Sequence, residues 1–113
     1  RGFVYMGIME LVMRIGFLWS GLDNKKERRE DVVRKRLMSL GRLLSNFSKE
    51  SQRARVGIYK RERWGYRVKF EMELPGKKIF AEGKGKDLIK TVVEVREKVK
   101  RQIKGHVERL RGN

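Results

Sequence analysis

Asp87 to Arg111 reads D-L-I-K-T-V-V-E-V-R-E-K-V-K-R-Q-I-K-G-H-V-E-R-L-R, and the fold turns on what this run must lie against. Leu88, Val92, Val95, Val99, Ile103 and Leu110 recur three, four or seven apart, which is one stripe of a helix with a period of 3.6. Lys90, Glu97, Arg101 and Lys104 take the opposite side, with Lys98 and Lys100 on its flanks. Such a helix needs an apolar surface to cover and turns a basic side outward. Asp87, just before the first apolar residue, is placed to cap it.

The surface lies immediately upstream. Tyr66, Val68, Phe70, Met72 and Leu74 alternate with Arg67, Lys69, Glu71 and Glu73, the period of two that marks a strand with one buried face. Leu74-Pro75-Gly76-Lys77 is a tight turn, in which Pro supplies a fixed φ and Gly the permissive position. Lys78 to Glu82 returns as a short strand with Ile79 and Ala81 inward. Arg53 to Tyr59 also alternates, with Ala54, Val56 and Ile58 inward, and a charged linker, Lys60 to Arg63, follows it. Residues 53–82 therefore read as a three-stranded antiparallel meander. Gly83-Lys84-Gly85-Lys86 reads as a flexible basic link into the last helix.

Before the meander, residues 27–46 form an amphipathic pattern. Val33, Leu37, Leu40, Leu44 and Phe47 share one side, and Arg34, Lys35 and Arg42 point away from it. Gly41 inside this helix costs about 1 kcal/mol relative to Ala. Phe3 to Trp19 is almost continuously apolar but is broken by Glu10 and Arg14. It is too short and too interrupted for a membrane span, and it lacks the charged start and small-residue cleavage site of a signal peptide. Val4, Ile8, Leu11, Ile15 and Leu18 fit a helical stripe; Leu11, Met13, Ile15 and Phe17 fit one face of a strand. The β-branched and aromatic content and the glycines favour a strand over 11–18. The order is then β-α-β-β-β-α: an α+β domain in which both helices cover one face of a four-stranded sheet. We place this single domain at 11–111 and treat 1–10 as an N-terminal extension.

Charge points to a partner. The chain of 113 residues carries 30 Lys and Arg against 14 Asp and Glu, a formal net charge of +16. An excess this large attracts polyanions, nucleic acid first and an anionic membrane surface second. It is concentrated in residues 23–56 and 84–113, each at +6, so a basic face built from both helices fits better than a basic tail. With no Cys, disulfides and thiolate zinc sites are excluded.

Catalysis has little to stand on. There is one His and no phosphate-loop or dinucleotide fingerprint, so we expect no enzyme, no cofactor and no metal. His106 reads first as a partly buried residue closing the core, and second as a phosphate or base contact. Glu71 and Glu73 read as cross-strand partners of nearby cations. Lys98, Arg101 and Lys104, three apart, form a row on the last helix. Arg34, Lys35, Arg36 and Arg42, with Lys84, Lys86 and Lys90, can extend its field. The acidic i,i+4 partners that a merely solvated face would carry are too few. A surface of this kind binds RNA phosphates with steep salt dependence and little sequence readout. The sheet lacks the aromatic pair of an RNA-recognition motif, and Tyr59 and Trp64 read as an edge contact and a loop anchor.

The runs V-K-F-E-M-E-L-P-G-K-K-I-F-A-E, K-D-L-I-K and R-E-K-V-K-R-Q-I-K-G-H together resemble the ribosome hibernation-promoting factors, also described as ribosome-associated inhibitors or light-repressed proteins. Leu74, Pro75 and Gly76 match the family's turn, Ala81 and Glu82 its short strand, and Asp87 and Leu88 the start of its final helix. Lys98, Arg101, Gln102, Ile103, Lys104 and His106 match the K-x-x-R-Q-L-R-x-H close of that helix. The resemblance spans roughly 11–108 and is strongest from 66 to 106. It implies a double-stranded-RNA-binding-like domain in the cytoplasm, seated on the small ribosomal subunit where messenger and transfer RNA would lie. It also implies contacts to ribosomal RNA from Lys98, Arg101, Gln102 and Lys104, with Lys35, Arg36 and Arg42 on the first helix. Lys90-Thr91-Val92-Val93 departs from the family's A-A-I-D. The chain ends just after the domain, so the C-terminal dimerisation domain of long members is not expected. The rival reading is a basic interaction or structural protein docking another RNA assembly or an acidic protein.

Overall fold

The computed structural model describes residues 13–45, 47–48 and 52–112. The expected extension 1–10, Leu11 of the first strand and Asn46 at the end of the first helix lie outside them. Among the described residues no helix is long and apolar enough to cross a membrane.

Among the described residues four strands form one sheet in chain order: β1 (Arg14–Ser20), β2 (Arg53–Arg61), β3 (Gly65–Leu74) and β4 (Lys77–Gly85). The pleat sends Met13 and Ile15, Ala54, Val56 and Ile58, Val68, Phe70, Met72 and Leu74, and Ile79 and Ala81 to one buried face, the inward sets that alternation predicts. β2, β3 and β4 are the antiparallel meander. β1 instead lies parallel to β2, from Arg14 opposite Arg53 to Ser20 opposite Tyr59. A parallel pair needs a long crossover to bring the chain back, and the first helical region is that crossover.

This region is not the single helix expected over 27–46. It divides into α1 (Lys25–Arg28), α2 (Glu30–Met38) and a 3-10 segment, Ser39–Leu44. The break is at Arg29, whose φ of 47° is left-handed, a conformation that costs about 1 kcal/mol for a residue with a Cβ. Beside the break, Trp19 Nε1 donates to Glu30 (3.3 Å), and the Arg34 guanidinium lies 5.0 Å from the centre of the Phe17 ring. Arg34 is thus held against β1 rather than pointing freely away. Past Met38 the tighter winding aligns residues three apart, and it leaves Leu37, Leu40 and Leu44 all buried. Gln52 Nε2 closes the segment by donating to the carbonyls of Leu44 and Phe47, both at 3.0 Å.

α3 (Leu88–Leu110) follows the pattern that predicts it. Asp87 caps it, accepting from the Lys90 amide at 3.0 Å. Leu88, Val92, Val95, Val99 and Ile103 are buried, each contributing about 1.5–3 kcal/mol relative to exposure. Leu110, counted in the stripe, is instead 60% exposed. His106 is buried: its Nε2 lies 2.8 Å from the Pro75 carbonyl and its ring stacks on Phe47 at 6.2 Å. Because a carbonyl can only accept, Nε2 must donate. The residue fastens the last turns of α3 to the β3–β4 turn.

One boundary departs in a way that places the helix. Gly83 to Gly85 is not a link but the end of β4. A Cβ on Gly85 would lie 2.6 Å from Thr91 Oγ1, and one on Gly83 would lie 3.0 Å from Val95 Cγ2. The two glycines let the first turns of α3 lie close on the strand.

Candidate nucleic-acid interface

The first helical region and α3 lie side by side on the sheet, and between them is a cleft of about 400 Å³. Arg42, from the 3-10 segment, faces Arg96, Lys100 and Lys104 of α3 across it, over a floor that includes Leu40 and Leu43. Leu40 and Leu44 hold the 3-10 segment in place from below, while Val95, Val99 and Ile103 hold α3. The apolar residues thereby set the spacing of the cations above them. Glu97 is the cleft's one carboxylate among the described residues, and Arg96 takes it at 3.0 Å. Among the described residues Arg42, Lys100 and Lys104 form no ion pair. Three cations around one opening, unmatched by protein acids, make a place for an acceptor-only group such as a phosphodiester.

Expected contact residues are divided by this geometry. Arg42 and Lys104 meet in the cleft. Arg96 and Lys100 were not among the expected contacts, although a signal for them exists: 96, 100 and 104 are four apart, all basic, and four residues overshoot a turn by only about 40°. Steps of three fall short by about 60°, so the row Lys98, Arg101, Lys104 winds off the cleft. Lys98, Arg101 and Gln102 gather instead beside Phe80, Ala81 and Glu82 at the free edge of β4.

At that edge two of them act on the protein's own backbone. Gln102 donates to the Phe80 carbonyl (2.6 Å) and accepts from the Phe80 amide (3.2 Å), as a neighbouring strand would. Lys98 Nζ donates to the Glu82 carbonyl at 2.8 Å and lies 3.4 Å from Glu94. Unpaired strand edges invite pairing with other chains, and these side chains occupy this one. Arg101 stays exposed beside them.

Lys35, Arg36, Lys86 and Lys90 are exposed on the first helical region, the β4–α3 connection and the first turn of α3. Lys84 is elsewhere. It belongs to β4, opposite Arg67 in register, and alternation turns it to the sheet face away from the helices, so it does not extend the helical field. On that far face Arg67 binds Glu82, and this bond, more than the surrounding lysines, holds the Glu82 carboxyl below the usual carboxylate range.

Among the described residues, a four-stranded mixed sheet carrying its helices on one face, with cations massed where the helices meet, defines a basic α+β domain. Solved structures share this fold, two of them as follows. One is a ribosomal subunit interface protein from Coxiella burnetii, with TM-score 0.62 and 16% identity over 85% of this chain and 99% of that one. The other is the Protein Y N-terminal domain of Thermus thermophilus, with TM-score 0.62 and 21% identity over 83% of this chain and 99% of that one. Comparison with curated proteins finds no match. Residues 24–111 match the model of the Sigma 54 modulation protein / S30EA ribosomal protein family, and the chain belongs to that family. This is the ribosome-hibernation group to which the final helix and the L-P-G turn point. The matched segment begins after β1.

Proposed function

We propose that this chain binds the small ribosomal subunit in the cytoplasm through ribosomal RNA phosphates. Lying in the channel for messenger and transfer RNA, it inhibits or protects ribosomes during dormancy. The observation that carries this reading is the cleft in which Arg42, Arg96, Lys100 and Lys104 converge with a single carboxylate among the described residues that line it. Arg101, Lys90, Lys86, Lys35 and Arg36 widen the field around it, and Lys98 adds charge from its place at the β4 edge. Family membership and the ribosome-interface protein of the same fold support the choice of partner. The mechanism is occupancy. Backbone phosphates are fixed by charge and hydrogen bonds, and a body of 13.4 kDa fills the space that the translated RNAs need. No proton or group is transferred.

The test is sedimentation of the protein with purified small and large subunits at low and high salt. We expect it to travel with the small subunit at low salt, to be released by high salt, and to compete with messenger and transfer RNA. Lys100→Glu with Lys104→Glu should abolish the association. If the protein stays unbound at low salt, or the double variant sediments unchanged, the proposal fails. If an acidic protein displaces it while heparin and RNA do not, the partner is a protein instead.

A further inference from the structure

The face of the sheet turned away from the helices is not a plain solvated surface. Strand alternation sends eight Lys and Arg there against three carboxylates. Each carboxylate has a cationic partner: Glu71 pairs with Arg55 at 3.3 Å, Glu82 binds Arg67, and Glu73 sits opposite Lys78. Arg53, Lys69 and Lys84 form no ion pair among the described residues and leave the face positive.

Large apolar groups stand among these charges. Leu18 is 62% and Phe80 50% exposed. They wall a hollow of about 540 Å³ that also takes in Gly16 and Gly57. At Gly16 an added Cβ would meet nothing within 4 Å, whereas at Gly57 it would lie 2.8 Å from the Tyr59 hydroxyl. The Tyr59 side chain therefore leans across Gly57, with Lys69 Nζ 5.8 Å from its ring centre. Two further hollows adjoin the first. One shares Tyr59 and Lys69 and adds Trp64 and Arg61; the other shares Arg55 and Phe80 and adds Arg53 and Lys78. Rings and cations thus alternate across the sheet.

We propose that this face is a second RNA site, which takes a single strand with unstacked bases. A duplex keeps its bases inside and presents phosphates and sugars, against which Phe80, Tyr59 and Leu18 gain nothing. A single strand carries both things the face offers to bind: flat apolar rings for Phe80 and Tyr59, and a phosphate chain for Arg53, Arg55 and Lys69. An acidic peptide would satisfy the cations but has no general need of the rings. The site lies on the opposite layer from the helical cleft, so a chain held on ribosomal RNA by the cleft has this face free for a neighbouring unpaired segment.

Binding of a fluorescent oligouridylate and of an RNA duplex of equal length is measured by anisotropy on the full chain, with thermal melts as controls. Phe80→Ala should weaken the single strand about 5- to 150-fold, the range for loss of one base–aromatic stack. Duplex binding should change less than about twofold, and Phe80→Tyr, which keeps a ring, should bind as the parent does. Lys100→Glu with Lys104→Glu should do the reverse, which separates this site from the helical one. The inference is overturned if Phe80→Ala binds the single strand as tightly as the parent, or if both RNAs lose equally. It is also overturned if a polyglutamate of equal charge competes as well as the oligouridylate, which would show that charge alone is recognised.

Discussion

Neutralising Lys100 and Lys104 together tests the cleft most directly, because its effect can be worked out before it is measured. Each phosphate that a cation neutralises releases counterions, and the logarithm of the binding constant then falls against the logarithm of salt with a slope of about −0.7 to −0.9 per contact. Three contacts, one for each cation of the cleft that no carboxylate engages, contribute a slope of about −2.1 to −2.7, worth roughly 20- to 40-fold between 50 and 200 mM salt. Changing both lysines to Gln should flatten the measured slope by about 1.4 to 1.8, whatever other contacts the protein makes. Among the described residues neither side chain carries an ion pair or a backbone hydrogen bond, so the melting temperature should hold. The assay is a salt titration of binding to small subunits, with Lys25→Gln plus Lys26→Gln, both exposed and outside the proposed field, as a control of equal charge change. If the control flattens the slope as much as the cleft pair does, the protein binds by net charge and the cleft has no special part. A cleft variant with the parental slope would refute the geometry altogether.

Three further outcomes follow from the packing. Gln102→Ala leaves the Phe80 amide and carbonyl at an open strand edge and should cost about 0.5–1.5 kcal/mol, a drop of roughly 2–8 °C in Tm; increased self-association should accompany it, and an unchanged melt would show that the clasp contributes nothing. Gly85→Ala drives a Cβ against Thr91 Oγ1 and should destabilise by about 1–3 kcal/mol in urea denaturation, so an unmoved midpoint would mean that α3 does not need this close approach. The Glu82 carboxyl is held below its ordinary range chiefly by its hydrogen bond to Arg67, so its contribution is present at neutral pH and is lost as pH falls through the ordinary range toward the folded value. Glu82→Gln should accordingly destabilise at neutral pH and match the parent in strong acid; a difference that persists in acid would contradict the pairing.

What could be read along the chain and what could not divide on one physical line. Alternation at 66–74 and the stripe of α3 are relations among neighbouring residues, and each settles which face is apolar whatever it packs on. Element order, the inward sets, the Asp87 cap and the family motifs are legible for that reason. The L-P-G turn and the buried His106 are too, although only folding shows that they touch.

Relations between distant residues were set by tertiary packing. β1 runs parallel to β2 because a helical crossover carries the chain back, and nothing in residues 14–20 encodes that direction. The first helix breaks at Arg29 and tightens after Met38 so that one apolar side can follow both β1 and α3. The same packing sorted the cations of the final helix. Along the chain Lys98, Arg101, Gln102 and Lys104 form one motif; in space Gln102 and Lys98 clasp the edge of β4, while Lys104 joins Arg96, Lys100 and Arg42 around a cleft. The sequence alone established a basic amphipathic helix and its family, because charge and periodicity are local. Which of its cations are left for a partner depended on where the sheet edge and the neighbouring helix came to lie.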